Sequence, residues 1–181
     1  MEKHYVVMTA IGTDRPGLVD AVSGYVYKHG GNVESTRAAT LGGEFAMILL
    51  ISGDETTTEA IRLQTRELER DAGLAVVVKP TAAPAEHPAP PDTLPYELAV
   101  YTMDHPGIVQ AVTHELARHR VNVRALDTHV ESAPHTGTAF FHLLAAIDVP
   151  SAANIAAFRA ALAQMAEQLN VDIQLTAGER A

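Results

Sequence analysis

The spacing of hydrophobic positions changes along the chain and predicts the order of its elements. Residues 4–11, "HYVVMTAI", are apolar and β-branched as in a strand, and apolar residues then recur at helical spacing from Leu18 to Val26. Gly30 and Gly31 stop this helix. The following segments are predicted as strands over 32–41 and 45–53, a charged amphipathic helix over 55–73, and a last strand over 74–80.

The same pattern occurs a second time, 90 residues later. Between positions 14 and 33, nine of twenty residues match those of the second copy, among them Asp14/Asp104, Pro16/Pro106, Gly17/Gly107 and Asn32/Asn122. Repetition of this kind indicates two copies of one structural unit. In the second copy, strands are predicted over 96–103, 122–132, 138–149 and 171–177, and helices over about 105–120 and 151–169.

Two copies of β-α-β-β-α-β predict an α+β protein made of two ferredoxin-like sandwiches in tandem, each with an antiparallel four-stranded sheet. We predict domains at 1–80 and 94–177, a Pro- and Ala-rich linker at 81–93 and a tail at 178–181. Two helices cover one face of each sheet. The other face needs a cover of its own, so we expect pairing between the copies, a homodimer, or both.

Composition narrows the classes of function. A net charge of -9 and a pI near 5.4 argue against direct contact with nucleic acid, because the phosphate backbone repels such a chain. The absence of cysteine excludes disulfides and thiolate metal sites. No apolar run approaches the roughly 20 residues of a membrane span. We therefore expect a cytoplasmic protein that contacts no membrane.

The repeated turn carries the candidate chemistry. A helix that begins near Pro16 and Gly17 presents unpaired N–H groups and a partial positive charge, which suit a small carboxylate. Asp14 offers an acceptor for an ammonium group, and Asn32 offers both a donor and an acceptor. Together these groups suit a zwitterion. The alternative is purely structural: Asp14 caps the helix, Pro16 fixes its first turn and Asn32 satisfies a turn.

The segments "DRPGLV…VSGYVYKHGGNV" and "DHPGIVQAV…NV" resemble the signature of the ACT domain, a small-molecule-sensing module of amino-acid metabolism. The resemblance implies amino-acid binding at an interface between paired domains, through the first strand–helix turn and the Asn that opens the second strand. The residues that it implies are Gly12, Asp14, Pro16, Gly17, Leu18 and Asn32 in the first copy and Asp104, Gly107, Ile108 and Asn122 in the second. Thr102 and His105 replace Gly12 and Arg15 of the first copy, so we expect the first copy to be the better site.

Tandem ACT modules resemble regulators of the glycine cleavage system, which act on a partner transcription factor. The resemblance implies a non-enzymatic protein that senses glycine or a serine-like amino acid and controls such a partner in amino-acid or one-carbon metabolism. One alternative is a ligand-free ACT module that only dimerises and docks. Another is a relative of the formyltetrahydrofolate deformylases, which open with a similar "DRPG" module.

The nine histidines raise the question of a metal site. The segment "HELARH" (114–119) lacks the second His that the zinc-protease pattern places four residues after the first, because Arg118 stands there. His129, His135 and His142 lie on or near the second hairpin, and the sequence leaves their pairing open. We therefore predict no metal and no cofactor.

Overall fold

The computed structural model describes residues 3–84, 92–134 and 137–179 and divides the chain into two compact units, Met1–Pro88 and Ala89–Ala181. Each unit contains a four-stranded antiparallel sheet with helices on one face, as predicted. The elements of the first unit are β1 (His4–Thr13), α1 (Leu18–Lys28), β2 (Asn32–Leu41), β3 (Glu44–Gly53), α2 (Glu55–Leu63), α3 (Thr65–Ala72) and β4 (Ala75–Thr81). Those of the second are β5 (Thr93–Met103), α4 (Ile108–Arg118), β6 (Asn122–Ser132), β7 (Ala139–Pro150), α5 (Ile155–Leu169) and β8 (Asp172–Ala177).

The strand order is the same in both units, β2-β3-β1-β4 and β6-β7-β5-β8. Alternate residues of the central strands point to the helices and form the core. Met8 of β1 and Leu49 of β3 are buried in the first unit, and Leu98 and Leu143 take the same roles in the second. We call the opposite, helix-free side of each sheet the outer face. It exposes large apolar side chains, among them Ile11, Ile48 and Val77 in the first unit and Met103, Phe140 and Leu144 in the second.

One predicted helix is wrong in detail. The segment 55–73 is not continuous, because Gln64 leaves helical backbone geometry (φ -105°, ψ 18°) and separates α2 from α3. The break lets each short helix bury its own apolar side chains, Ile61 from α2 and Leu68 from α3. Gly73 ends α3 in the left-handed conformation, as predicted.

The strands also narrow the predicted linker. Thr81 closes β4 and Thr93 opens β5, so both ends of the range 81–93 belong to sheets, and residues 85–91 lie outside the described residues. The N–H of Gly178, the first residue of the predicted tail, donates to the carbonyl of Pro95. No helix within the described ranges is long and apolar enough to cross a bilayer.

Both units carry a β-bulge near the start of the second strand. The register of β2 on β3 shifts between Val33 and Ser35, which leaves Glu34 as the extra residue. The register of β6 on β7 shifts in the same way between Val123 and Ala125, which leaves Arg124. The repeat therefore extends to an irregularity of the sheet, although the two bulged residues have opposite charge.

Candidate functional site

The repeated turn joins β1 to α1 and places a glycine, not the predicted aspartate, at the start of the helix. Gly17 is the N-cap residue of α1, and its φ of 93° is a left-handed conformation that favours glycine. Gly107 begins α4 in the same way, with a φ of 99°. The prediction that Asp14 caps the helix is wrong, because the helix begins four residues beyond it. Pro16 lies in the turn before the helix rather than within its first turn.

These two helices begin without a side-chain cap, as does α3 after the break at Gln64, whereas α2 and α5 are capped. Asp54 accepts a hydrogen bond from the N–H of Thr57 at 2.7 Å in α2, and Asn154 accepts from Ala157 at 3.1 Å in α5. Within the described part of the chain, no side chain accepts from the first turns of α1 and α4. Their first N–H groups thus keep the partial positive charge that attracts an anion.

The backbone around the turn is fixed by contacts outside it. The N–H of Asp14 donates to the carbonyl of Gly43 at 2.9 Å, and that of Asp104 donates to Ala139 at 2.8 Å. In the first unit, Arg15 also donates through Nη2 to the carbonyl of Ala72 at 2.9 Å, at the end of α3. The carboxylates of Asp14 and Asp104 remain exposed.

Gly12 and Leu18 have packing roles. A Cβ at Gly12 would lie 2.7 Å from the carbonyl oxygen of Gly73, so this position allows the close approach of the turn that ends α3. The side chains of Leu18 and Ile108 are buried in the two cores. They are therefore closed to a ligand, to which these residues can offer only their backbone N–H groups.

The structure does not bring Asn32 to the turn of its own unit. Asn32 pairs with Ser52, which pairs with Tyr5, whereas Gly12 lies at the other end of β1. Seven residue steps separate Tyr5 from Gly12, roughly 23 Å of strand. Asn122 is equally distant from Gly107, because it pairs with Asp148 at the Pro95 end of β5. A site that combines the turn with Asn32 or Asn122 therefore needs two domains, as the resemblance implies.

Asn32 instead belongs to a polar cluster around the bulged Glu34. The Oε1 atom of Glu34 accepts from Ser52 Oγ at 2.5 Å, Lys3 Nζ at 3.2 Å and Asn32 Nδ2 at 3.2 Å. These hydrogen bonds, above all that from Ser52, hold the pKa of Glu34 below its ordinary value. The Asn32 amide is thereby oriented by its neighbour but stays exposed.

The second unit places the opposite charge at this bulge. Arg124 Nε lies 3.0 Å from Oδ1 of Asp148, whose side chain is only 5% exposed. Asp148 occupies the register position that Ser52 holds in the first unit. The polar environments of Asn32 and Asn122 therefore differ.

A groove lies beside the second turn. It has a volume of about 490 Å³ and is lined by Thr102, Met103, Phe140, Asn170 and Asp172, among others. Such a volume is within the range of small-molecule sites. Thr102 faces the turn that follows α5, with Oγ1 at 3.4 Å from the carbonyl of Asn170. The prediction that the first copy is the better site stays a prediction.

The sequence reasoning missed one residue of a second polar group. It singled out His129 and His142 without their pairing, and it did not include Glu131. The register places His129 directly opposite His142, and Glu131 is the next residue of β6 on the same face. The period of two in "HVE" (129–131) was the signal that could have identified it.

Comparison with known proteins identifies the unit and its tandem arrangement. The ACT domain family model matches residues 4–79. The chain is 30% identical over 168 residues to the glycine cleavage system transcriptional repressor of Escherichia coli (strain K12), covering 93% of this chain and 87% of the relative.

Two solved structures agree over the whole length. A crystal structure of an unknown protein from Galdieria sulphuraria is 32% identical, with a TM-score of 0.81 over 98% of this chain and 100% of the other. A structure of a candidate glycine cleavage system transcriptional repressor is 24% identical, with a TM-score of 0.70 over 99% of this chain and 100% of the other, and shows the same fold. The chain thus has a regulatory, non-enzymatic role. It belongs to the family of tandem ACT-domain proteins that includes the glycine cleavage system transcriptional repressor.

Proposed function

We propose that this protein senses a small amino acid, glycine or a serine-like one, and controls a partner transcription factor of amino-acid or one-carbon metabolism. The amino-acid carboxylate binds the free N–H groups at the start of α1. The exposed Asp14 carboxylate accepts from the ammonium group. Asn32 of a second copy of the chain completes the site.

The observation that carries the proposal is the uncapped start, with a left-handed glycine, of both helices that follow the repeated turn. Asp54 and Asn154 cap α2 and α5, whereas α1 and α4, which follow the repeated turn, have glycine at the cap. Glycine caps a helix less well than Asp or Asn by only a few tenths of a kcal/mol, but it offers no side-chain acceptor, so the first N–H groups of α1 and α4 are open to an external acceptor. A ligand carboxylate that takes the place of the cap supplies this acceptor.

The position of Asn32 supports a paired assembly of modules, for which we propose a homodimer. Because Asn32 lies roughly 23 Å along the sheet from its own turn, it reaches a ligand only if that ligand is bound to another module. A ligand held by two modules stabilises the arrangement in which both contact it, and occupancy thereby changes the assembly.

The charge of the chain supports an output through protein. A net charge of -9 opposes direct contact with DNA. The 30% identity to a transcriptional repressor over 87% of its length supports gene regulation as the process. A shift of a DNA duplex by the purified chain alone at physiological salt would contradict this part of the proposal.

Thermal unfolding in the presence of each of the twenty amino acids tests the sensor. A ligand at 100 times its Kd adds about 2.7 kcal/mol, which raises the Tm of a protein of this size by roughly 5–10 °C. We expect one or two small amino acids to produce this shift. Asn32→Ala removes the shift, while the matched variant Asn122→Ala keeps it if the first copy is the better site.

Each variant is compared with its own ligand-free Tm, which separates binding from the stability that the Glu34 cluster loses. Light scattering with and without the amino acid reports whether the dimer forms. A full screen without any shift would refute the sensor and favour the ligand-free docking module. A shift that survives in both asparagine variants would refute the site.

A further inference from the structure

A cluster of three metal-ligating side chains lies on the outer face of the second unit, away from the turn. His129 of β6 pairs directly with His142 of β7, and Glu131 follows two residues later on the same face of β6. We propose that His129, Glu131 and His142 form a binding site for a divalent transition-metal ion of the Zn²⁺ type. This departs from the expectation of no metal, which left the pairing of these histidines open.

The ligand atoms already converge. One nitrogen from each histidine and one carboxylate oxygen all lie within 4.8 Å of one another. Nε2 of His142 is 3.9 Å from Oε2 of Glu131, and the two imidazole rings are stacked at 4.6 Å with an angle of 9°. Tetrahedral Zn²⁺ with bonds of about 2.0–2.1 Å requires ligand atoms about 3.3 Å apart. The nitrogen lone pairs lie in the ring planes, so the His129 ring must rotate out of the stack to meet the same ion as His142. Both His129 and Glu131, which is 69% exposed, are accessible enough to move without a change in the strands.

The chemistry of the cluster favours Zn²⁺ over Mg²⁺ or Ca²⁺. Two imidazole nitrogens and one carboxylate suit a borderline ion, whereas hard ions prefer oxygen ligands alone. A set of two histidines and one carboxylate leaves a fourth position open on the solvent side, for water or a side chain of another molecule. Asp127 precedes His129 on the same face, and its negative charge adds to the attraction for a cation.

The environment holds one of the ligands in place. The ring of Tyr101, on the neighbouring strand β5, contacts His142 edge to face at 5.0 Å. His142 is therefore only 24% exposed and has less rotational freedom than His129, which is exposed. A partly fixed imidazole loses less entropy on binding a metal.

The first unit supplies an internal contrast. The residues at the equivalent positions of its sheet are Ala39, Leu41 and Ala46, with Ala39 opposite Ala46 in the register. The fold itself thus does not require ligating side chains on this patch. The three ligating side chains occur together in the second copy and none of them occurs in the first, as expected for a metal site that is specific to the second copy.

Calorimetric titration of the full chain with ZnCl₂, after removal of metal with a chelator, tests the proposal. We expect one Zn²⁺ per chain at pH 7.5, with affinity at least tenfold lower in His129→Ala, His142→Ala and Glu131→Gln. His114→Ala, which removes an exposed histidine of α4, leaves it unchanged. At pH 5.5 binding weakens in the wild type, because imidazole must be neutral to coordinate.

The three variants are expected to fold, because the side chains lie outside the core, and their circular dichroism and Tm in chelator provide the check. X-ray absorption at the zinc edge must show imidazole ligands. No binding by the wild type would overturn the proposal. Equal affinity in His114→Ala and in the three site variants, with their fold intact, would also overturn it.

Discussion

Gly12 provides the sharpest test of how the turn is built. The variant Gly12→Ala adds a Cβ that meets the carbonyl oxygen of Gly73 at 2.7 Å and Cδ2 of Leu74 at 3.0 Å. The nearer contact is with backbone, so the turn between α3 and β4 must move away from β1 by several tenths of an ångström. Overpacking of this kind costs about 1–3 kcal/mol.

The matched control is Gly24→Ala. Gly24 is an exposed residue inside α1, and a Cβ there meets nothing within 4 Å. Alanine is the better helix former by about 1 kcal/mol, so this variant is expected to be more stable than the wild type. The same chemical change therefore has opposite signs at two glycines of one unit.

Differential scanning calorimetry measures both variants. For a protein of 150–250 residues, 1 kcal/mol corresponds to about 2–4 °C in Tm, so the two variants are expected to differ by at least about 4 °C. A Tm of Gly12→Ala equal to or above that of the wild type would refute the close approach of Gly73. The second unit has Thr102 at the equivalent position. Its side chain fits between β5 and the turn after α5, where Oγ1 lies 3.4 Å from the carbonyl oxygen of Asn170.

Two further predictions concern the helices. Tyr25→Phe removes the 2.8 Å hydrogen bond from the buried hydroxyl to the carbonyl of Ile61 and is expected to lower the free energy of unfolding by about 1 kcal/mol in urea. Burial, and secondarily the charge of Glu67, raises the pKa of Tyr25 to about 12. The protonated hydroxyl therefore stabilises the fold fully below pH 10, and this stabilisation is lost between pH 10 and 12. A pH series must show this loss of stability in Tyr27→Phe, which removes an exposed hydroxyl, but not in Tyr25→Phe. Arg120 follows α4 with a left-handed backbone (φ 56°), which glycine adopts without the strain that a Cβ causes. Arg120→Gly is therefore expected to raise the urea midpoint by the equivalent of about 1 kcal/mol. An unchanged midpoint would show that the arginine side chain makes interactions that offset this strain.

The order of elements followed from the sequence because the hydrophobic spacing changes sharply between strands and helices. β2 and β6 begin and end where the pattern predicts, at 32–41 and 122–132. The helix starts were less accurate. Asp14 has the chemistry of a cap, and only the positive φ of Gly17 shows that the chain turns once more before α1 begins.

The distance between Asn32 and the turn of its own unit has a topological cause. In a β-α-β unit with parallel strands, the helix starts where the first strand ends. The second strand starts at the opposite end of the sheet, level with the beginning of the first strand. The order β2-β3-β1-β4 was implicit in the predicted fold, so the separation of Asn32 from Gly17 could have been derived. The side-chain pairing of His129 with His142 could not, because it depends on the length of the hairpin loop.

The opposite charges at the two bulges bear on how a tandem repeat avoids misassembly while it folds. Similar neighbouring domains can exchange strands before either is complete. If β2 paired with β7, Glu34 would lie beside the buried carboxylate of Asp148, and if β6 paired with β3, Arg124 would face Ser52 without a counter-ion. In the first hybrid the buried carboxylate of Asp148 loses its partner, which costs about 3–5 kcal/mol; the side chain of Arg124 is 30% exposed, so the second hybrid is penalised less. Charge therefore favours the correct strand partner.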